Sequence, residues 1–309
     1  MTFQYLEQFY QQFPFYLEQM PYHRYVCESI LTGDLNNLPN CLLYGPKGFP
    51  SDILIEYSIA CYFNTTFPIQ KRYPVWNQLL PYIETNYYFC IDTEHPEFPK
   101  EIDDLIQFIK NIVQTKCIHL TRHIIVLKNM DQIANRKNNF CFRVLLERFS
   151  QNVLFINTTH HIQMIEAPLL SRMTIHRVPL PKKQELWNII SHLCPNISSL
   201  PNTRNLCLSL FHLPNLDFST FHYPHIAELK KKKMTPLEIR QLCYKIFQYQ
   251  IPVSEVIEDC LNLLDTEKYQ HQWILESVSI EHRSIQSDPV KKYYYMEWVL
   301  HLFQTLFVQ

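Results

Sequence analysis

Apolar positions recur along this chain in two rhythms. Cys41-Leu42-Leu43-Tyr44, His123–Leu127 (HIIVL) and Asn152–Asn157 (NVLFIN) are short, continuous apolar runs. Runs of this kind are the mark of strands buried on both faces of a parallel sheet. Tyr87–Ile91 and Ile175–Val178 are further strand candidates. Between these runs the period changes to helical. Ile55, Ile59 and Phe63 stand four apart and predict a helix over about 53–63, with Ser51 or Asp52 as its N-cap. Ile102, Leu105, Ile106, Ile109 and Ile112 predict an amphipathic helix over 101–114, and a third helix is expected over 136–149. Residues 1–35 read as helix broken near Pro14 and Pro21, and residues 64–85 as irregular and aromatic. The alternation of strands and helices between 41 and 180 predicts an α/β fold with a parallel sheet flanked by helices.

After residue 181 the pattern is helical. Residues 182–228 form a small unit interrupted by Pro and His. Lys230–Lys233 reads as a linker or helix end, with contact to DNA or an acidic partner as the alternative. Thr235-Pro236-Leu237-Glu238 is a strong helix start, and Asp288-Pro289 is another. Helices are expected near 236–249, 253–264 and 289–308. The expected divisions are 1–180, 181–232 and 233–309.

Composition narrows the function. The chain has 309 residues, 47% hydrophobic and 18% charged, with a formal net charge of −1. That is globular composition and argues against a globally basic nucleic-acid binder. No apolar run is long enough to span a bilayer, and the N-terminal segment MTFQYLEQFYQQF lacks the character of a secretory signal. The ten cysteines are nowhere closer than Cys194 and Cys207, so paired-Cys zinc and redox motifs are excluded and free thiols in a reducing compartment are expected. His222-x-x-His225 resembles half a metal site, but Pro224 between them favours a loop, and no metal site is expected. Only Gly33, Gly45 and Gly48 exist, and none precedes a lysine. Every GxxxxGK[ST] phosphate loop and every GxGxxG fingerprint is thereby excluded.

The order of elements resembles the AAA+ subunits of DNA clamp loaders, the replication factor C group. Leu35–Phe63 resembles their first strand, phosphate loop and first helix. His123–Arg172 resembles their Walker B strand, the helix after it, the sensor strand with Asn157, and the Ser-Arg-Cys motif, here Ser171-Arg172-Met173. Thr235–Leu264 resembles the start of their C-terminal collar. The three divisions then become an AAA+ nucleotide-binding-like domain, a small helical lid and an oligomerising helical collar. The departures from the family pattern concern the nucleotide. In the loop from Gly45 through Lys47 and Gly48, the Gly-Lys-Thr triplet is replaced by Pro50-Ser51-Asp52. Pro50 removes an N–H, Ser51 removes the cation, and Asp52 sets a carboxylate where phosphate would lie, a repulsion of about 1–4 kcal/mol. At the Walker B strand the metal-holding Asp-Glu pair is replaced near Lys128-Asn129, and Asp131 is read as the cap of the next helix. The resemblance therefore implies a subunit that binds no nucleotide of its own, with ATP and Mg²⁺ held by partner subunits.

By the same resemblance, Arg172, with Ser171, would reach in trans into a neighbour's ATP site as an arginine finger. Otherwise Arg172 is a surface arginine in a salt bridge. Arg136 and Lys137 at a helix start would touch the DNA backbone, or form a solvated helix start. Ile102, Ile106, Phe108 and Ile109 would dock on the sliding clamp, with Phe108 as the exposed member, or pack as core against the sheet. Tyr293–Tyr295 would serve a subunit interface. The implied partners are other AAA+ subunits in a hetero-pentamer, a sliding clamp and primer–template DNA, at a nuclear or cytoplasmic replication site such as a viral factory. The rivals are an inactive AAA+ scaffold in another replication or checkpoint complex, and an enzyme with an unorthodox nucleotide site using Lys47.

Overall fold

A computed structural model describes residues 4–76, 80–95, 97–99, 102–114, 120–133, 136–195, 197, 205–212, 226, 229, 233–248, 251, 253–264, 267–285 and 291–307. The chain divides into two compact units, Met1–Asn196 with Arg204–Phe211, and Ile197–Thr203 with His212–Gln309. His222, His225 and Lys230–Lys232 lie outside the described residues, and Lys233 is exposed.

The first unit is built on a seven-stranded sheet. Its strands are β1 (Asn40–Tyr44), β2 (Arg72–Trp76), β3 (Pro81–Glu84), β4 (Tyr88–Asp92), β5 (His123–Lys128), β6 (Val153–Thr159) and β7 (Met173–Arg177). Their spatial order is β2-β3-β4-β5-β6-β1-β7. The five strands from β4 to β7 run parallel, as the alternating pattern predicts. The sheet is longer than expected. Residues 64–85 are not simply irregular but carry β2 and β3, which add antiparallel to its edge. Pro74 hides β2 from a pattern reading, because proline cannot donate to a ladder. At the edge it is tolerated, and the register shifts between Arg72 and Val75, where Pro74 sits.

Helices cover both faces. They are α1 (Gln4–Gln11), α2 (Phe13–Glu18), α3 (Pro21–Ile30), α4 (Ser51–Tyr62), α5 (Ile102–Gln114), α6 (Arg136–Arg148), α7 (Ala167–Leu170), α8 (Lys183–Leu193) and α9 (Leu206–His212). Pro14 and Pro21 sit in the first turns of α2 and α3, where the missing N–H costs nothing. On β5, Ile125 and Leu127 join a core with α5 and α6, while Ile124 and Val126, also buried, point the other way. The stripe on α5 is part of that core. Ile102 and Ile109 are buried and Ile106 is half-buried. Phe108 corrects the expectation of an exposed contact: it is 2% exposed and lies against Tyr82, with ring centroids 4.7 Å apart. The unforeseen strand β3 supplies that partner, and Ile102, Phe108 and Ile109 are core.

One buried cation fastens the N-terminal ends of the central strands. Arg122 is 3% exposed, and its guanidinium donates to the carbonyls of Leu35 and Leu38 at 2.9 Å and of Val153 at 2.8 Å. It ties the segment leading into β1 to the start of β6.

The second unit is helical: α10 (Pro236–Gln248), α11 (Val253–Asn262), α12 (Glu267–Ile285) and α13 (Lys292–Phe307). The expected start at Thr235 is a capping box. The Thr235 N–H donates to Glu238 at 2.7 Å, and the Glu238 N–H donates back to the Thr235 hydroxyl at 3.4 Å. The helix α12 was not anticipated. Its inward side carries Trp273, Ser277 and Ile280, but Leu275 on the outward side is 77% exposed and blurs the apolar period. Among the described residues no helix is long and apolar enough to cross a membrane.

Replacing Arg122 with Met would leave those carbonyls buried without donors, a loss of about 3 kcal/mol. Urea unfolding followed by the signal of the first unit measures it. A loss below about 1 kcal/mol would contradict the role of Arg122 as a fastener.

Candidate functional site

The site follows from strand order. The connection after β1 leads through α4 to β2 at the far side of the sheet, whereas the connection after β6 crosses to β7 on the opposite side of β1. Neighbouring strands whose connections diverge open a crevice at their C-terminal ends, which is the usual binding position in a parallel sheet. The loop Gly45–Pro50 lies at this point.

The crevice is filled by the chain itself. The Val178 N–H donates to the Tyr44 carbonyl at 2.7 Å, and the Gly45 N–H donates to the Thr159 carbonyl at 3.3 Å. A Cβ at Gly45 would stand 1.8 Å from the Val178 carbonyl oxygen, so only glycine admits β7 this close. His160 Nδ1 lies 3.0 Å from the Gly45 carbonyl oxygen. Gly48 has φ +127°, and a Cβ there would stand 2.6 Å from the side chain of Asn205. The Cys207 N–H at the start of α9 donates to the Gly48 carbonyl at 3.0 Å. Phe49 turns inward, buried, with its ring 4.3 Å from His23. A cavity lined among others by Gly45, Phe49, Ser51, Thr159 and His160 has a volume of about 10 Å³. That is room for about one water molecule.

Beside the loop, a cation lies between two carboxylates. Lys128 Nζ is 3.2 Å from Asp52 in the first turn of α4 and 3.4 Å from Asp92 at the end of β4. The Asn129 amide donates to the other oxygen of Asp92 at 2.9 Å. Burial alone would lower the Lys128 ammonium, but Asp52, Cys90 and Asp92 raise it well above its ordinary value. Burial would raise Asp92, but Lys128, the Glu94 N–H and Asn129 together hold it below the usual carboxylate range. Asn129 takes the left-handed conformation, φ 57°, which asparagine tolerates. The end of β5 is pinned further by Thr93, whose hydroxyl donates to the carbonyls of Lys128 at 3.0 Å and Asn129 at 2.6 Å.

The other loop residues depart from expectation in instructive ways. Neither Ser51 nor Asp52 caps α4. Pro50 holds the N-cap position without a side-chain bond, and both residues belong to the first turn. There Asp52 complements the helix dipole. Lys47 is paired with Glu94 at 2.6 Å, on the exposed side. Asp131 does not cap a helix either. It accepts from the Thr159 hydroxyl at 3.0 Å and the His160 N–H at 3.1 Å, tying β5 to β6. Asn157 is buried, and its amide donates to the Cys41 carbonyl at 3.3 Å.

Arg172 stands apart from all of these. Its Nε donates to Glu147 at 2.7 Å, and its terminal nitrogens contact Glu147, the Pro168 carbonyl and, at 3.4 Å, the Ser171 hydroxyl. Met173, the next residue, pairs with Asn40 at the start of β1. Arg172 is thus on the opposite edge of the sheet from the loop, about 16 Å away along a five-residue strand. Ser171 is exposed. The α6 backbone begins at Arg136, and the side chains of Arg136 and Lys137 lie outside the described ones.

Pattern reading found Asp52, Lys128 and the loop. It missed Asp92, although an acid closing a buried strand was a signal. Val178, His160 and Asn205 carried no local signal, since each meets the loop from a distant part of the chain, Val178 through its backbone and the other two through their side chains.

No family model matches the sequence, and no curated protein matches it. Among solved structures, a DNA polymerase III gamma subunit-related protein from Thermotoga maritima is similar over 93% of this chain and 99% of its own, at 12% identity and a TM-score of 0.41. Two point variants of RuvB from Thermotoga maritima are similar over 59% and 60% of this chain, at 15% identity and TM-scores of 0.34 and 0.33. This chain spans about half the length of those RuvB proteins, 49% and 51%.

The ion cluster predicts a measurable coupling. Lys128→Met leaves two neighbouring carboxylates facing each other and destabilises the first unit by about 1 kcal/mol, a figure kept low because Asp52 and Asp92 are over a third exposed. Adding Asp92→Asn restores part of the loss. The raised Lys128 and the lowered Asp92 keep the pair charged throughout the neutral range, so the coupling fades only as acid titrates Asp92 or base titrates Lys128. A double-mutant cycle at neutral pH reads it, and strict additivity would show that the cluster is not a unit.

Proposed function

We propose that this chain is a non-catalytic subunit of an AAA+ assembly of the DNA clamp-loader type, which holds no nucleotide of its own and acts on a neighbour's. The observation that carries this reading is the Lys128 ammonium seated on Asp52 and Asp92 beside a loop with about 10 Å³ of free space. A triphosphate needs inward-facing backbone N–H groups, a loop lysine and a carboxylate free to hold its magnesium. Here Pro50 has no N–H to give, Lys47 is paired with Glu94, and both nearby carboxylates already have a cation. A nucleotide does not fit these residues.

On this reading ATP and Mg²⁺ belong to partner subunits. Arg172 is too far from its own loop to serve it and is placed at an edge, which suits a group acting in trans. Against the developing charge of a γ-phosphoryl, an arginine in that role is worth about 10³–10⁵ in rate at the site it completes. The helices α10–α13 would form the collar, and residues 181–232 the lid. The start of α6, with Arg136 and Lys137, would face the phosphates of primer–template DNA, and the assembly would load a sliding clamp at a replication site.

A second reading, an inactive scaffold, is favoured by one observation. The Arg172 guanidinium is engaged by Glu147 and the Pro168 carbonyl within its own chain, and a neighbour's phosphate would have to displace them.

The assembly purified from its own cells through a tag on this chain separates the two. With Arg172→Ala, subunit composition stays intact and ATPase falls by the share of the one site that loses its arginine. Unchanged ATPase in an intact assembly would remove the finger and leave the scaffold.

A further inference from the structure

The second unit carries an open face centred on α13 and flanked by α10 and α12. Tyr294, 66% exposed, and Trp298, 44% exposed, stand one helical turn apart on α13. On one side, Tyr293 lies against Tyr244 of α10, with ring centroids 5.6 Å apart. Arg240, one turn before Tyr244, is held by Glu297 at 3.1 Å. Tyr244 and Tyr294 are near enough to add to the rise that Glu297 causes in its guanidinium. On the other side, the Arg283 guanidinium of α12 sits over the Trp298 ring, 5.6 Å from its centroid. Lys245 and Lys291 are exposed at the margins. Among the described residues, Glu297 is the carboxylate of this face, and Arg240 neutralises it. The exposed acid Glu276 lies two turns from Arg283 along α12 and is bonded to Gln272. The face is therefore net positive on a chain whose formal net charge is −1.

We propose that this face binds single-stranded nucleic acid, stacking bases on Tyr294 and Trp298 and pairing phosphates with Arg283 and the flanking lysines. Aromatic rings interleaved with cations suit a strand whose bases are open, because every base has a ring face and every nucleotide a phosphate. The Cβ atoms of Tyr294 and Trp298 are about 5–6 Å apart. That is wider than the roughly 3.4 Å rise of a stacked strand, so the bound strand would lie partly extended. A duplex is disfavoured, since its bases are stacked on one another and offer no face to the rings. A protein partner is disfavoured by the cations among the rings, because the core of a protein interface is depleted in charge. The same unit has a surface of that other kind: Ile274 and Val278, exposed and aliphatic, lie on the far side of α12 from Arg283. The face is built from α10, α12 and α13 alone, so it depends neither on the Gly45–Pro50 loop nor on Arg172.

The test is fluorescence anisotropy of end-labelled oligo-dT and oligo-rU strands of about 16 nucleotides, mixed with the full chain at low and at physiological salt. The expected result is saturable binding that weakens as salt rises, the tighter strand naming DNA or RNA as the ligand. Tyr294→Ala and Trp298→Ala should each weaken binding about tenfold, and Tyr294→Phe, which keeps the ring, should not. Arg283→Gln should lower the salt slope by about 0.7. Stacking should also quench tryptophan emission, and Trp298→Phe should abolish that quenching. Both rings are surface side chains, so the circular dichroism of the alanine variants should match that of the unaltered chain. Absence of binding by either strand at low salt, unchanged affinity in both alanine variants, or tighter binding of a duplex of the same length would overturn the proposal. So would self-association of the chain that Tyr294→Ala abolishes while no strand binds, which would assign the face to a second copy. None of these outcomes touches the account of the Gly45–Pro50 loop.

Discussion

The Lys128 ammonium between Asp52 and Asp92 is the interaction around which the C-terminal edge of this sheet is organised. It joins the end of β5 to the start of α4 and the end of β4. A cation taken this far out of water is costly unless its partners meet it closely, and the two carboxylates do so. The same contact settles the electrostatics of the first turn of α4. A helix N-terminus attracts an anion, and here the anion is the chain's own Asp52, already neutralised by Lys128. The positive end of the helix is therefore satisfied from within.

The backbone does the rest of the closing. Gly45 lets β7 approach to a distance that any side chain would forbid, and Gly48 takes a conformation that sets its carbonyl against the Cys207 N–H. Thr159 at the end of β6, Val178 just after β7 and the start of α9 thereby hold the loop in place. The opposite edge of the sheet behaves differently. Arg172 is held by one carboxylate and two oxygen acceptors at a partly exposed position, the kind of contact an incoming anion can exchange for itself.

Much of this was legible in the residues, for definite reasons. The strands β1, β5 and β6 are buried on both faces, so their apolar runs are continuous. The start of α10 is written as Thr-Pro-Leu-Glu, and α5 carries an unbroken apolar stripe. That the loop contains no Gly-Lys was readable because glycine is so scarce. Other features were not local. The edge strands β2 and β3 are masked by Pro74 and Pro81, and without β3 there was no reason to place Phe108 in the core against Tyr82. The outward Leu275 and Val278 hide the buried face of α12. In the site, Lys128 could be read as a lost metal ligand, but its role as counter-ion needed Asp92, which sheet order alone brings alongside.

The central proposal is that the Gly45–Pro50 loop takes no nucleotide. Titration of the isolated chain with a fluorescent ATP analogue, with and without Mg²⁺, tests it most directly. The account predicts no saturable, magnesium-dependent binding up to millimolar nucleotide. Micromolar binding that requires magnesium and is lost on Lys47→Ala would contradict it, and would make the loop a working site.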